Sequence, residues 1–298
     1  MLRFCPTPML VILSASLAIL NTAFIGSIII ICGLIKLILP KVAYPLIGKL
    51  CNQLMWCWSE INRAIFLLVN NTEFVIEDNS QLDKNSWYLM ICNHQSWADI
   101  VLLCMLFGSR IPMPKFFLKQ QLLYVPFVGL ACWALDMPFM RRYSRQYLLK
   151  NPEKRGKDLE ATQRSCEKFK SSPTTVINFV EGTRFTPEKQ QTSHSNYQHL
   201  LPPKPLGIAY TLSALGEQFD QIIDVTLAYP GTTQQEPPFK ALLSGRLNKV
   251  VIKIDTISIG PQLRGDYLQD KQFKRHFKLW LDSTWQNKDN YLKNIIKN

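Results

Sequence analysis

The chain reads as an α/β protein, a mixed and largely parallel sheet flanked by helices, carried behind an N-terminal hydrophobic helical segment that anchors it to a membrane. Three observations point there: a long apolar stretch at the N-terminus, β-type runs alternating with helical periodicity after residue 70, and polar residues placed just past the ends of two of those runs.

From Met9 to Leu39 the chain is nearly all apolar, interrupted by Asn21, Thr22 and Lys36. As one helix it is roughly 46 Å long, against a hydrocarbon layer of roughly 30 Å. The segment therefore either tilts or breaks near Asn21 to Gly26 into a shallow hairpin, and the residues alone leave both open. A cleaved signal peptide competes with this reading, but the apolar stretch is too long and no A-x-A site follows. Arg3 precedes the segment while Lys36, Lys41, Lys49 and Arg63 follow it, which places the downstream body on the cytoplasmic side. Leu50 to Val69 reads as an interfacial amphipathic helix with Trp56 and Trp58 at headgroup depth. The expected organisation is a membrane anchor and interfacial helix over 1–70 and a globular domain over 71–298.

A hydrophobic content of 47% in 298 residues supplies one sizeable core. The net charge of +12 calls for anionic partners, among them nucleic acid, phospholipid headgroups and phosphorylated small molecules. No recognition motif or aromatic platform accompanies the charge, so nucleic acid is not expected. The eight cysteines form no C-x-x-C pair, and neither a disulfide framework nor a metal site is expected.

Element by element, Phe74 to Ile76 and Trp87 to Cys92 read as strands, Ile100 to Phe107 as a helix and Phe116 to Leu118 as a strand. Asp158 to Phe169 has helical spacing, and Thr174 to Val180 is a β-branched strand. Leu206 to Leu215 reads as a helix, Ile222 to Tyr229 and Val250 to Ile259 as strands, and Phe273, Phe277, Trp280 and Leu281 mark one face of a C-terminal helix. Residues 185–205 are polar and long for a connection, which suggests a mobile loop over a site.

His94 lies just past the end of a buried strand, with Asp99 five positions later at the opening of a helix. There an imidazole takes a proton from a hydroxyl through one nitrogen while a carboxylate holds the other N–H. Asp99 also fits a plain capping box, Ser96-Trp97-Ala98-Asp99. Cys92, on the same strand face as His94, is either an acyl-accepting nucleophile or inert core. The strand ending at Val180 runs into Glu181-Gly182-Thr183-Arg184, where Gly182 lets the backbone approach a ligand and Arg184 can fork to a phosphate. Alone, this second motif is equally an ordinary polar turn.

Together, N-H-x-x-x-x-D and F-V-E-G-T-R resemble the glycerophospholipid acyltransferase family that includes the 1-acylglycerol-3-phosphate acyltransferases. Lys119 to Leu122 with Pro126 and Gly129 resembles that family's K-x-E-L-x-x-x-P-x-x-G segment, Phe139 to Arg142 its F-I-D-R motif, and Asp224 to Pro230 its fourth block. The resemblance covers about residues 70–232 and makes 71–298 an acyltransferase domain. It implies His94 as general base and Asp99 as its partner, with Lys119, Arg142 and Arg184 around an acceptor phosphate and Glu181, Gly182 and Thr183 helping to bind the substrate. It further implies acyl-coenzyme A or acyl carrier protein as co-substrate, no cofactor or metal, membrane phospholipid and lysophospholipid as partners, and a place at the bacterial inner membrane. Gln121 and Arg141 stand where the family has Glu and Asp, and both make the site more positive. The basic run from Arg141 to Lys157 has two readings, a membrane-facing surface or a contact for coenzyme A phosphates. A lipid-binding protein without chemistry and a lipid hydrolase using Ser96 or Cys92 are the competing functions.

Overall fold

The computed structural model describes residues 5–108, 110–140 and 172–296. Arg141, Arg142, the rest of the basic run and the helix expected at Asp158 to Phe169 lie outside them.

Helix α1 (Thr7–Ile38) is continuous, so the chain does not break near Asn21. The reason is a second helix, α2 (Tyr44–Val69), packed alongside: the Asn21 amide donates to the Trp58 carbonyl at 3.0 Å, and the Trp58 indole N–H donates to the Thr22 hydroxyl at 3.0 Å. The polar pair that suggested a hairpin is thus helix-to-helix glue, and the Trp58 ring nitrogen faces α1. The inward stripe of α1 is Leu10, Ser14, Asn21, Ile25, Gly26, Ile29, Cys32 and Gly33, whereas Ile12, Ile19 and Phe24 are each 67% exposed. The small and polar residues of the helix lie among the apolar ones on the inward face while large apolar side chains cover the outward face, the reverse of a helix built for water. By length and composition α1 is able to cross a membrane.

The sheet has six strands: β1 (Glu73–Asp78), β2 (Tyr88–Cys92), β3 (Pro114–Phe116), β6 (Thr175–Phe179), β7 (Gln221–Ala228) and β8 (Lys249–Ser258). Their order is β1-β8-β7-β2-β6-β3, parallel throughout except for the β7–β8 pair. A separate two-stranded ribbon joins β4 (Leu118–Lys119) to β5 (Phe139–Met140). The expected strand at Phe116 to Leu118 is therefore split between two sheets, ending β3 and beginning β4.

β2 is the central strand and is buried along its whole length, with side chains alternating between two apolar layers. Tyr88, Met90 and Cys92 join the layer formed with α1, α2, α3 (Ala98–Phe107) and α4 (Val128–Ala134). Leu89 and Ile91 join the layer that holds α6 (Pro205–Leu215) and α8 (Lys271–Ile296), where Phe277, Leu281 and Trp285 are fully buried. The sheet thus lies between the N-terminal helices and the C-terminal one.

Segment 185–205 is not a bare loop. It holds a short helix, α5 (Pro187–Thr192), capped by the Thr186 hydroxyl, and is tied to α8 by the buried Asp289 carboxylate, which accepts from the backbone N–H groups of Gln198 and His199 at 2.9 and 2.8 Å. A further helix, α7 (Pro238–Leu243), touches α1 through the Leu243 carbonyl, which accepts from the Ser14 hydroxyl at 2.8 Å.

Candidate functional site

Three neighbouring parallel strands, β7, β2 and β6, end at the same edge of the sheet, where α/β folds gather their sites. Each delivers chemistry just past its end: Tyr229 after β7, His94 after β2, and Glu181 to Arg184 after β6.

The turn that carries His94 leaves the sheet without breaking its hydrogen bonding. The Asn93 side-chain amide donates to the Leu227 carbonyl at 2.9 Å, and its oxygen accepts from the Leu227 N–H at 2.8 Å. Asp99, fully buried at the opening of α3, then gathers the turn around one carboxylate oxygen. Its Oδ2 lies 2.7 Å from His94 Nδ1 and accepts from the backbone N–H groups of Gln95 at 2.7 Å and Ser96 at 2.9 Å. Because a carboxylate only accepts, Nδ1 carries the ring proton and Nε2 is left as the basic nitrogen. The same Asp99 oxygen thus both satisfies backbone N–H groups of the turn and meets the imidazole. Its other oxygen accepts from the Tyr229 hydroxyl at 2.5 Å.

His94 is flattened onto Phe179 of β6, with centroids 4.0 Å apart and planes 17° from parallel. The two motif turns are stitched together where the Phe185 N–H donates to the His94 carbonyl at 2.7 Å. Gly182 has φ +69°, the left-handed conformation that a glycine adopts without penalty. Glu181 is buried, and burial holds its carboxyl well above the ordinary range, with the backbone N–H groups of Leu201 and His94 pulling it partly back. Arg184 is exposed, its guanidinium 4.9 Å above the Trp97 ring. Cys92 is wholly buried, and burial raises its thiol well above the usual value, which leaves it inert core.

Lys119 is exposed on β4, at the start of a 3₁₀ turn over Gln120–Tyr124, and among the described residues no hydrogen bond or ion pair ties it to the His94–Asp99 pair. The Gly129 that closes its motif is required by packing, since a Cβ there would meet the Leu123 carbonyl oxygen at 2.1 Å. Three contributors escaped the sequence reading. Asn93 and Tyr229 bridge turns and strands far apart in the chain. Lys189 of α5 donates to the Thr183 hydroxyl and to the Arg184 carbonyl, both at 2.9 Å, adding a second cation to the Arg184 turn. Asn93 and Tyr229 do fall within the N-H-x-x-x-x-D motif and the Asp224 to Pro230 block, and Lys189 is a cation five positions after Arg184, but none of these signals names the partner.

Residues 73–228 match the family model described as Acyltransferase. A 2-acyl-1-lysophosphatidylinositol acyltransferase of Saccharomyces cerevisiae is 25% identical over 251 residues, covering 70% of this chain and 61% of that protein. A 1-acyl-sn-glycerol-3-phosphate acyltransferase of the same yeast is 25% identical over 195 residues, covering 63% and 59%. The chain thus spans about three fifths of the length of these relatives. The crystal structure of the 1-acyl-sn-glycerophosphate (LPA) acyltransferase PlsC from Thermotoga maritima matches 96% of this chain and 98% of its own with a TM-score of 0.53 and 18% identity, a likeness of fold. With the family model covering more than half of its length and the motifs assembled at one sheet edge, the chain belongs to the acyltransferase family, among the glycerophospholipid acyltransferases whose motifs it carries.

Proposed function

We propose that the protein moves a fatty acyl group from a thioester donor, acyl-coenzyme A or acyl carrier protein, to the free hydroxyl of 1-acyl-sn-glycerol-3-phosphate, giving phosphatidic acid. The observation that carries this is the His94–Asp99 pair on a turn hydrogen-bonded to the one that bears Arg184, a base and a cation suited to a phosphate on adjoining turns. His94 Nε2 takes the proton of the acceptor hydroxyl as its oxygen attacks the thioester carbonyl. The new C–O bond forms, the C–S bond breaks, and the departing thiolate takes its proton from the imidazolium. Since a free thiol has a pKa of roughly 8.5, the thiolate leaves near neutral pH without a strong acid. Asp99 holds the ring and supports its transient charge. Arg184, with Lys119 and Arg142, neutralises the acceptor phosphate, and Glu181, Gly182 and Thr183 shape the turn against which the acceptor and acyl carbonyl lie.

In this reading residues 1–70 anchor the protein in the bacterial inner membrane, where both lipids reside, and 71–298 form the acyltransferase domain on its cytoplasmic face. A second acceptor has its own support. The yeast relative aligned over the longer stretch is a lysophosphatidylinositol acyltransferase, so a lysophospholipid with a larger headgroup is the alternative substrate. The test offers lysophosphatidate, lysophosphatidylglycerol, lysophosphatidylinositol and lysophosphatidylcholine to the purified protein with labelled acyl-coenzyme A, alongside His94→Ala. Transfer to lysophosphatidate, abolished in a folded His94→Ala protein, is the expected result; a variant that keeps most of its turnover sinks the assignment.

A further inference from the structure

Three of the four hydrogen bonds to the Asp99 carboxylate come from its own turn, and all three reach Oδ2. Oδ1 is held from elsewhere, by the hydroxyl of Tyr229, 130 residues along the chain. Both side chains are buried, Asp99 at 0% and Tyr229 at 4% exposure. The tyrosine ring packs in the apolar layer under the sheet edge, and its oxygen reaches the carboxylate.

The placement of Tyr229 is over-determined. On one side Asn93 locks Leu227 to the catalytic turn through both backbone groups. From the other face the buried Lys288 of α8 donates to the Val225 carbonyl at 2.6 Å and the Thr226 hydroxyl at 2.9 Å, and pairs with Asp224 at 2.7 Å. These bonds fix the end of β7 two residues before the tyrosine, which holds its hydroxyl within reach of one carboxylate oxygen.

The geometry points to Tyr229 as a positioning residue for acyl transfer: its hydroxyl turns Asp99 so that Oδ2 faces His94, and draws the carboxylate's charge toward Oδ1. This rests on His94 being the base of the reaction proposed above. The second effect limits how strongly Asp99 stabilises the imidazolium that forms as the acceptor loses its proton. Among the described residues, the other titratable or charged groups around the pair are Cys92 from β2, Glu181 and Arg184 from the loop after β6, Asp224 from β7, and Lys288 from α8. Burial leaves the Cys92 thiol neutral, and burial together with the Asp99 charge keeps the Tyr229 phenol protonated, so it donates at every working pH.

The test compares the full-length wild type, Tyr229→Phe and His94→Ala in mixed micelles with 1-acyl-sn-glycerol-3-phosphate and acyl-coenzyme A. For Tyr229→Phe, kcat should fall roughly 10- to 100-fold, as is common when the partner orienting a functional group is lost, with KM for both substrates little changed. The acid limb of its pH–kcat profile should move to higher pH, because Asp99 without the phenol stabilises the imidazolium more. The position of that limb does not depend on how much protein is folded, so it reads the role even in a less stable variant. A profile and kcat equal to wild type, with His94→Ala inactive, overturn the role of Tyr229 and leave the reaction standing. Lower activity with an unmoved limb reduces Tyr229 to a structural contact and equally overturns it. If His94→Ala is as active as wild type, the proposed reaction itself fails and the inference with it.

Discussion

The imidazole of His94 lies on the ring of Phe179, nearly face to face, so the base is clamped by an aromatic plane on one side while Asp99 holds its edge. Phe116 extends the stack on the next strand, at 6.2 Å from Phe179. Replacing Phe179 with alanine leaves the Asp99 bond in place but frees the ring to tilt. The expected result is a fall in kcat of about 10-fold with KM nearly unchanged, read by steady-state kinetics, because near-attack geometry and not substrate binding is lost.

Asp99→Asn separates the two duties of one oxygen. The variant can keep the backbone bonds to Gln95 and Ser96 while losing the charge behind His94. Activity should drop by roughly 10³- to 10⁴-fold, as when the carboxylate of a catalytic triad is neutralised. The thermal midpoint should fall only as far as a loss of about 1 kcal/mol allows. A folded Asp99→Asn protein with near-normal turnover would leave Asp99 as a helix cap alone.

The exposed pairing of Arg184 with Trp97 predicts an effect on binding rather than chemistry. An exposed cation–π contact contributes about 0.5–1 kcal/mol, equivalent to roughly a 2- to 5-fold change in an equilibrium constant. Trp97→Leu should therefore raise KM for the phosphate-bearing acceptor by about that factor and leave kcat in place. Equal KM values for the two proteins would show that the indole does not orient the guanidinium.

Burial raises the Glu181 carboxyl in the folded state above its unfolded value. The folded protein consequently binds more protons than the unfolded chain as pH climbs from the ordinary carboxylate range toward the raised value, so stability declines through that window. Below the unfolded value both states are protonated and this deficit is absent. Glu181→Gln should then unfold at a higher temperature than wild type near neutral pH, with the gap closing as pH is lowered toward about 4. A gap that stays constant with pH would contradict the assignment.

Gly33 predicts how tightly α1 is bound to the body. A Cβ on it would stand 2.5 Å from the Ala134 Cβ of α4, closer than two carbons approach without movement. Gly33→Leu should lower the thermal midpoint by the equivalent of about 1–3 kcal/mol, the usual effect of overpacking. An unchanged midpoint would mean that the two helices separate freely.

The strands and the His94–Asp99 pair were legible because their signals are local: β-branched runs, and two polar residues five positions apart at a strand end. What escaped is held by partners far away in the chain. Asn21 and Thr22 look like a helix break until Trp58, 37 and 36 residues on, supplies their hydrogen bonds. Tyr229 looks like the last apolar residue of a strand, and no periodicity reveals that its oxygen meets Asp99. The polar segment 185–205 suggested mobility because its anchor, Asp289, lies on the final helix. The run at Phe116 to Leu118 has the composition of one strand, and composition cannot show a chain passing from one sheet to another.

The Asn93 amide, bonded to both backbone groups of Leu227, acts as a borrowed rung: a side chain continues the ladder after the main chain has turned away. The turn that bears His94 is thereby held to two strands at once, the one it leaves and the neighbour that Leu227 belongs to. The Phe185 N–H ties the Arg184 turn to this same support, so the two motif turns share one footing and only the side chains at the rim, among them the exposed Lys189 and Trp97, stand clear of it.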